Sequence, residues 1–305
     1  MTSARPIYGQ HAIGIDVGGT KIAGGLVDLG TGRLTGRRQI PTGFQRGGQA
    51  VLADVAQMVR DIAAAGPRPD ALGVAVAELV DPAGHVFSDY RIAWKGVDVG
   101  AKLAPFSHPA ISSDVRAAAL AEARFGAGRG LRDFYFVTIG TGISGVLVQN
   151  GVPYAGSRGA ALVIANGVTR HHCPDCGHVT EQVVEDIANG PGLAAAYGQP
   201  AETLLADANA GNARAIHLID HATHELGRVL ALLAGALDPA AIIIGGGLGS
   251  APGVYFDKLT GAIRAGLWQD HGLHITQAAL GRDAGIIGAA LATQTTLLTS
   301  MGEIT

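Results

Sequence analysis

Three glycine turns, each after a run of apolar residues, are where this chain's residue types could do chemistry. The first, Asp16-Val-Gly18-Gly19-Thr20-Lys21, joins a carboxylate, a turn without side chains, a hydroxyl and an ammonium. Glycines between two strands let backbone N–H groups approach a phosphate unobstructed, while Thr20 adds a donor and Lys21 a positive charge. Asp16 ends the preceding strand, where a carboxylate could hold Mg2+ directly or through water. Glycine pairs also make plain hairpins with an exposed lysine, so this motif alone leaves both readings open. The second turn is Gly140-Thr141-Gly142, and the third is Gly245-Gly246-Gly247 after Ile242-Ile-Ile244. The third lacks the G-x-G-x-x-G spacing of a dinucleotide fingerprint and does not open an early βαβ unit. Together the three would wrap one nucleotide, with two phosphate loops and a backbone platform for adenosine. A different chemistry is offered by Cys173-Pro-Asp-Cys176, a spacing typical of metal or thiol sites in a reducing compartment.

The elements that must position these turns can be read from periodicity. Ile13, Ile15 and Val17 alternate as a strand, the glycine turn follows, and Ile22 to Val27 runs back. Helical spacing of Val51, Val55, Met58, Val59 and Ile62 predicts a helix over residues 49–64. A strand is expected from Leu72 to Val80, then a turn at Asp81-Pro82-Ala83-Gly84. Ile111-Ser112 is extended, and an alanine-rich helix runs from Asp114 to Phe125, with Ser113 or Asp114 as its cap. Residues 134–148 repeat the strand, glycine turn, strand pattern. A helix over 220–237 carries Leu226, Val229, Leu230, Leu233 and Leu237 on one face, Ala241 to Ile244 is a buried strand, and 283–298 is helical. The repeated hairpin suggests two similar α/β domains facing each other across a cleft, with a single doubly wound sheet as the alternative.

Composition narrows the function classes. Of 305 residues 46 are glycine, roughly twice ordinary usage, without a G-X-Y period or a matching proline excess, so fibres and disordered polymers are excluded. Hydrophobic residues make up 48%, enough for a sizeable core, and the length suits two domains. Lys and Arg total 22 against 25 Asp and Glu, a net charge of −3 that gives no electrostatic reason to expect nucleic acid or an anionic membrane as partner. The longest uncharged stretches, 134–157 and 239–256, are cut by glycines and read as strands and turns, not spanning helices. The first eleven residues have no apolar h-region, and two cysteines exclude a disulfide framework, so the cytoplasm is the expected location.

The motifs in order, DxGGTK, Ile139-Gly140-Thr141-Gly142, Leu237-Asp238-Pro239 leading to IIIGGG, and Asp283-Ala-Gly-Ile-Ile-Gly-Ala-Ala, resemble the ROK family of sugar kinases and repressors over nearly the whole chain. The resemblance implies an α/β, actin-like (ribonuclease-H-like, ASKHA) kinase fold, with ATP and sugar in a cleft between two domains, and a homodimer. We expect a small N-terminal domain over 1–112, with 285–305 packing back on it, and a larger domain over 113–284. ATP with Mg2+ would meet Asp16, Gly18, Gly19, Thr20, Lys21, Gly140, Thr141, Gly142, Gly245, Gly246 and Gly247. The family's catalytic base falls in an Asn-Asp-x-Asn-Ala-Ala-Ala-x-x-Glu stretch, matched by Ser113 to Glu122, which makes Asp114 the base. From the residues alone, Asp114 is only a helix cap. A carboxylate there could take the proton of a primary hydroxyl attacking the γ-phosphorus, help worth about 10²–10⁴ in rate.

Departures from the family fall on the acceptor side. Its two asparagines are Ser113 and Arg116 here, Ala77-Glu78 replaces a usual Pro-Gly, and Tyr90, Arg91 and Trp94 occupy a stretch with Asn and Trp near the sugar. The usual Gly-x-x-Gly-x-Ala-Gly-Glu-x-Gly-His reads from Gly156 and Gly159 to Val163 and Asn166, so Val163 replaces a sugar-binding Glu and Asn166 a His. Glu185 is retained. Substrate contacts are therefore expected from Ser113, Arg116, Gly159, Asn166 and Glu185. Lost partners for glucose hydroxyls cost about 1–3 kcal/mol each, so glucose itself is not the expected acceptor. A sugar or sugar-like cyclitol that keeps a CH2OH fits better, and kinases of valiolone-type C7-cyclitols in antibiotic biosynthesis resemble ROK proteins. An ordinary hexose or N-acetylhexosamine kinase, or a retired ROK-type sensor, are the alternatives. A repressor would need a helix-turn-helix before the first strand, where only about a dozen residues stand. The family's structural zinc uses His and three Cys; here His172, Cys173, Cys176 and His178 could form a tetrahedral site, or the loop is metal-free.

Overall fold

Strands β1 (His11–Val17) and β2 (Lys21–Asp28) pair antiparallel, with Ile13, Ile15, Val17, Ile22 and Leu26 buried. The computed structural model describes residues 10–300 except 95, 105, 107, 173, 270 and 271. After β3 (Leu34–Pro41) comes α1 (Gly48–Ala65), whose Val51, Leu52, Val55, Met58, Val59 and Ile62 form the buried stripe that the periodicity predicts. Then follow β4 (Ala71–Val76), α2 (Val99–Leu103), β5 (Ala110–Ser113) and α3 (Asp114–Phe125). The sheet runs β3-β2-β1-β4-β5, with β4 parallel to both β1 and β5. The strand expected to reach Val80 stops at Val76. The chain bends there, Ala77 N–H bonding to Val17 O, and Val80 returns only as an isolated bridge to Val86.

The pattern then repeats. β6 (Asp133–Ile139) and β7 (Ile143–Gln149) form an antiparallel hairpin, and β8 (Val152–Pro153), β9 (Val168–His172) and β10 (Val179–Val183) follow. Helices α4 (Val184–Ala188), α5 (Gly190–Tyr197), α6 (Ala201–Asn209) and α7 (Ala213–Leu237) lead to β11 (Ala241–Gly245). The helical turn α8 (Gly246–Gly249), α9 (Val254–Gly266), β12 (His274–Gln277) and α10 (Ala284–Ser300) complete the chain order. As β4 and β5 do beside β1, β11 lies parallel to β6 and β12 parallel to β11. The duplicated topology is thus present in the second sheet. Helix α7 starts earlier than the expected Asp220. Asn212 caps it through Ala215 N–H, and its first turns bury Ala215 and Ile219, small signals beside the leucines further on.

Contacts divide the chain into two compact units. One comprises the described residues of Met1–Arg129, Gly151–Ala161 and Arg282–Thr305, the other those of Gly130–Asn150 and Leu162–Gly281. The first unit includes Ser113 and α3 as well as the returning α10, whereas the sequence places the boundary between residues 112 and 113. Close backbone approach explains the association. A Cβ on Gly14 would lie 2.0 Å from Ile286 O, one on Gly73 1.7 Å from Ala289 O, and one on Gly288 1.7 Å from Ala117 O. Glycine in β1, β4 and α10 lets that helix settle on the sheet and on α3 at backbone distance. Among the described residues, no helix is long and apolar enough to cross a membrane.

Candidate active site

In the first unit, three carboxylates gather at the carboxyl ends of parallel strands, where α/β sheets place their ligands. Asp16 lies near the end of β1, Glu78 two residues beyond β4, and Asp114 directly after β5. Asp16 is half-buried, its carboxylate against Gly285 in the first turn of α10, where a Cβ would come within 2.5 Å of Oδ2. Burial foremost, then the negative charge of Asp114, pushes its carboxyl up to about 7, with Arg37 opposing. Asp114 is pushed up to about 6, again by burial foremost; the Val115 N–H holds the rise back and the charge of Glu78 adds to it. Carboxyls raised in this way suit a proton acceptor working near neutrality and a position short of positive charge.

The turn between β1 and β2 is closed by Gly18 N–H to Lys21 O at 2.9 Å. Thr42 braces it, its N–H donating to Thr20 O at 3.0 Å and its hydroxyl to Gly18 O at 2.7 Å, while Thr20 and Lys21 are exposed. Thr42 is fully buried, and no sequence signal marks it, since its partners stand more than twenty residues earlier. Glu78, a departure from the family motif, organises a whole loop. Only 4% exposed, it accepts Arg91 N–H at 2.6 Å and Ile92 N–H at 3.0 Å on Oε1, and Tyr90 N–H at 2.9 Å and the Ser88 hydroxyl on Oε2. A lone charge inside the apolar run of residues 71–80 was its signal.

Of the expected acceptor residues in this unit, Ser113 is fully buried, and its Oγ has no hydrogen-bond partner among the described residues. It occupies the cap position of α3 without capping; Asp114 Oδ1 takes the Val115 N–H at 2.7 Å instead. Arg116 is buried and donates to Val80 O at 2.6 Å. Gly159 packs on the same carbonyl, where a Cβ would lie 2.0 Å away, so both meet at Val80. A cavity of about 830 Å³ under the 82–87 hairpin is lined by His85, Phe87, Trp94 and Ile111, and by neither Asp16 nor Asp114. It is separate from the carboxylate site.

In the second unit, the other two glycine turns come together. A Cβ on Gly140 would lie 3.6 Å from Gly247 N, and Gly190 N–H donates to Gly140 O at 2.8 Å. Gly246 has φ +83 and would set a Cβ 2.4 Å from Ile139 O, so only glycine fits between the ends of β6 and β11. Gly245 packs on Phe136, and Gly247 and Thr141 are exposed. This floor of backbone, free of side chains at Gly140 and Gly247, fits the face or phosphates of a nucleotide. Glu185 Oε1 accepts the N–H of Ile143, directly after Gly142, at 3.1 Å, and its own N–H donates to Ala165 O at 2.9 Å. It therefore ties the turn to the segment carrying Asn166, which is exposed, as is Val163.

For the metal sites, Asp16 fits a divalent cation: an acidic group raised by burial beside a second carboxylate gains most from a positive partner. The zinc residues fit less well. Cys173 lies outside the described residues, Cys176, His172 and His178 are exposed, and no group of three or more His, Cys, Asp or Glu among the described residues could hold a metal ion.

The chain is similar to known proteins over nearly its whole length. The sequence model described as the ROK family matches residues 12–296. An N-acetylmannosamine kinase of Salmonella newport is 30% identical, the match covering 92% of this chain and 98% of that protein. Among solved structures, a ROK hexokinase from Thermus thermophilus is 30% identical, with TM-score 0.78 and coverage of 95% of this chain and 99% of that one. A ROK family glucokinase from Streptomyces griseus, solved with glucose and AMPPNP, is 27% identical, with TM-score 0.79 and coverage of 93% and 99%. The α/β architecture expected from the motifs is the one these structures share.

Proposed function

The chain belongs to the ROK family, and from that premise we propose that it is an ATP-dependent phosphotransferase acting on the primary hydroxyl of a sugar or sugar-like acceptor. One observation carries this reading: Asp114, directly after β5 and pushed up to about 6, is close enough to Asp16 for its charge to raise that carboxyl, in the unit that also carries the Gly18–Gly19 turn. Asp114 accepts the hydroxyl proton as the acceptor oxygen bonds to the γ-phosphorus. The bond to the β,γ-bridging oxygen breaks, and its electron pair leaves with ADP. Asp16 would hold Mg2+, which would supply neutralisation of phosphate charge there. The backbone at Gly18 and Gly19, with Lys21, receives phosphates, and Gly140, Gly246 and Gly247 offer the nucleotide platform.

The acceptor we infer is not glucose. Support comes from Val163 and Asn166 standing where the resemblance asks for Glu and His, and from Arg116, whose guanidinium is engaged by Val80 O. A cyclitol of the valiolone type, with a CH2OH and fewer ring hydroxyls, suits those changes. A hexose or N-acetylhexosamine reading is favoured instead by the names of the relatives. Turnover of ATP against a panel of hexoses, N-acetylhexosamines and cyclitols decides between them. Glucose and N-acetylmannosamine turning over while cyclitols do not would sink the cyclitol reading, and no turnover with any member would sink the kinase. A homodimer, a cytoplasmic setting and a zinc ion on Cys173, Cys176, His172 and His178 are separate proposals. Sedimentation, cell fractionation and metal analysis of untagged protein test them.

A further inference from the structure

We propose that Arg91 is a catalytic residue of this kinase, its guanidinium contacting the transferred phosphoryl group beside the Gly18–Gly19 turn; the inference rests on the kinase reading above. The first observation is placement. The Arg91 stem lies along the face of Gly19: a Cβ there would stand 3.6, 3.7 and 3.8 Å from Arg91 Cδ, Cγ and Cβ. The guanidinium begins one bond beyond that Cδ, which places it within reach of the turn whose backbone would meet the phosphates.

The second observation is how firmly the loop is held. Arg91 N–H is fixed by Glu78 Oε1, flanked by the Tyr90 and Ile92 N–H groups on the same carboxylate. On the far side Ile92 and Trp94 are buried, Trp94 N–H bonds to Asp89 Oδ1 at 2.8 Å, and Ala93 O accepts Gly48 N–H at 3.0 Å. A backbone ordered before the substrate arrives leaves only the side-chain torsions to settle, which is the preorganisation a transition-state contact needs.

Charge supplies the reason for a cation there. Asp16, Asp114 and Glu78 put three carboxylates at this end of the sheet, and a polyphosphate entering it meets like charge. The planar fork of a guanidinium can engage two phosphoryl oxygens at once, where an ammonium acts as a point charge. Through the transfer Arg91 neither gains nor loses a proton. It stabilises the charge spread over the γ-oxygens while Asp114 takes the hydroxyl proton.

The test uses the full chain with Arg91→Ala and Arg91→Lys, the exposure of Arg91 sparing the fold, as thermal unfolding would verify. Calorimetric binding of AMP-PNP and of ADP, each with Mg2+, is compared with kcat and the acceptor KM. Arg91→Ala is expected to weaken AMP-PNP by about 10–100-fold and to leave ADP within about twofold. It should lower kcat by about 10³-fold with the acceptor KM little changed, while Arg91→Lys falls between. Equal affinity for AMP-PNP, equal losses for AMP-PNP and ADP, or a loss confined to the acceptor KM would overturn the proposal. If no acceptor turns over, the kinase reading fails by itself, and the comparison of AMP-PNP with ADP still decides the contact.

Discussion

Replacing Glu78 with glutamine exchanges one oxygen of a nearly buried carboxylate for an NH2 group, and four hydrogen bonds determine the consequence. In the better orientation the amide oxygen keeps the Arg91 and Ile92 N–H groups, and the NH2 then faces the Tyr90 N–H, donor against donor. The Ser88 hydroxyl can turn to accept from the NH2 while still accepting Leu79 N–H, now at 2.8 Å. In the opposite orientation two backbone donors lose their acceptor in place of one. The least cost is therefore one buried N–H without a partner, about 1–3 kcal/mol, plus the loss of charge assistance in the bonds that remain. A total of about 3 kcal/mol corresponds to a fall in Tm of roughly 5–10 °C. Ser88→Ala leaves the carboxylate and its three backbone bonds in place but removes the acceptor of Leu79 N–H and one donor to Glu78, so it should cost about as much while leaving the charge of Glu78 unchanged. A second readout separates charge from packing. The negative charge of Glu78 helps to raise Asp114, so Glu78→Gln should move the acid limb of kcat/KM to lower pH. A Tm within 1 °C or so of the parent together with an unmoved acid limb would refute the reasoning.

Asp114→Asn should lower kcat by about 10²–10⁴-fold while Mg2+-AMP-PNP binding is retained; undiminished turnover would remove Asp114 as the base. With Asp114 at about 6 and required deprotonated, the parent's activity should fall as pH drops through that value, measured as the acid limb of kcat/KM. Asp16 titrates at about 7 in the folded chain against an ordinary 3.8, so the folded state holds a proton that the unfolded chain has released. The Asp16 contribution to the stability of the metal-free protein should thus be greatest below about pH 4, decline by about 2–4 kcal/mol up to pH 7, and level off above it. Asp16→Asn should flatten that decline and raise Tm at pH 8. Gly73→Ala sets a methyl 1.7 Å from Ala289 O; overpacking outweighs the entropic gain of alanine, for a net loss of about 2 kcal/mol or more by denaturant titration.

The glycine turns, the duplicated strand pairs and the amphipathic α1 were legible because their signals are local: alternation, helical spacing and glycine runs. Glu78 and Thr42 were not legible in their roles, since what matters is which distant N–H and C=O groups they meet, and one residue pattern admits many partners. The early end of β4 has the same origin, for Val80 continues the apolar run that the pairing at Val76 abandons. The leucines that mark α7 fall in its second half, whereas Ala215 and Ala222 bury its first turns and carry a weaker apolar signal. The acceptor residues show the opposite limit. A motif position located Arg116 and Gly159, and only coordinates reveal that both converge on Val80 O.

Helix α10 also sets a timetable. Its glycine contacts with β1, β4 and α3 complete the first unit, yet residues 130–150 and 162–281, nearly all the intervening chain, belong to the other. At about 5–20 residues per second of synthesis, the sheet formed by residues 11–113 waits on the order of ten seconds or more before its covering helix emerges. During that interval Gly14 and Gly73 leave an apolar sheet face bare, and Asp16 lacks the wall that Gly285 provides. The end of the sheet that gathers Asp16, Glu78 and Asp114 is therefore assembled last, and a nascent chain holding every residue of the Asp16–Lys21 turn does not yet hold that end complete.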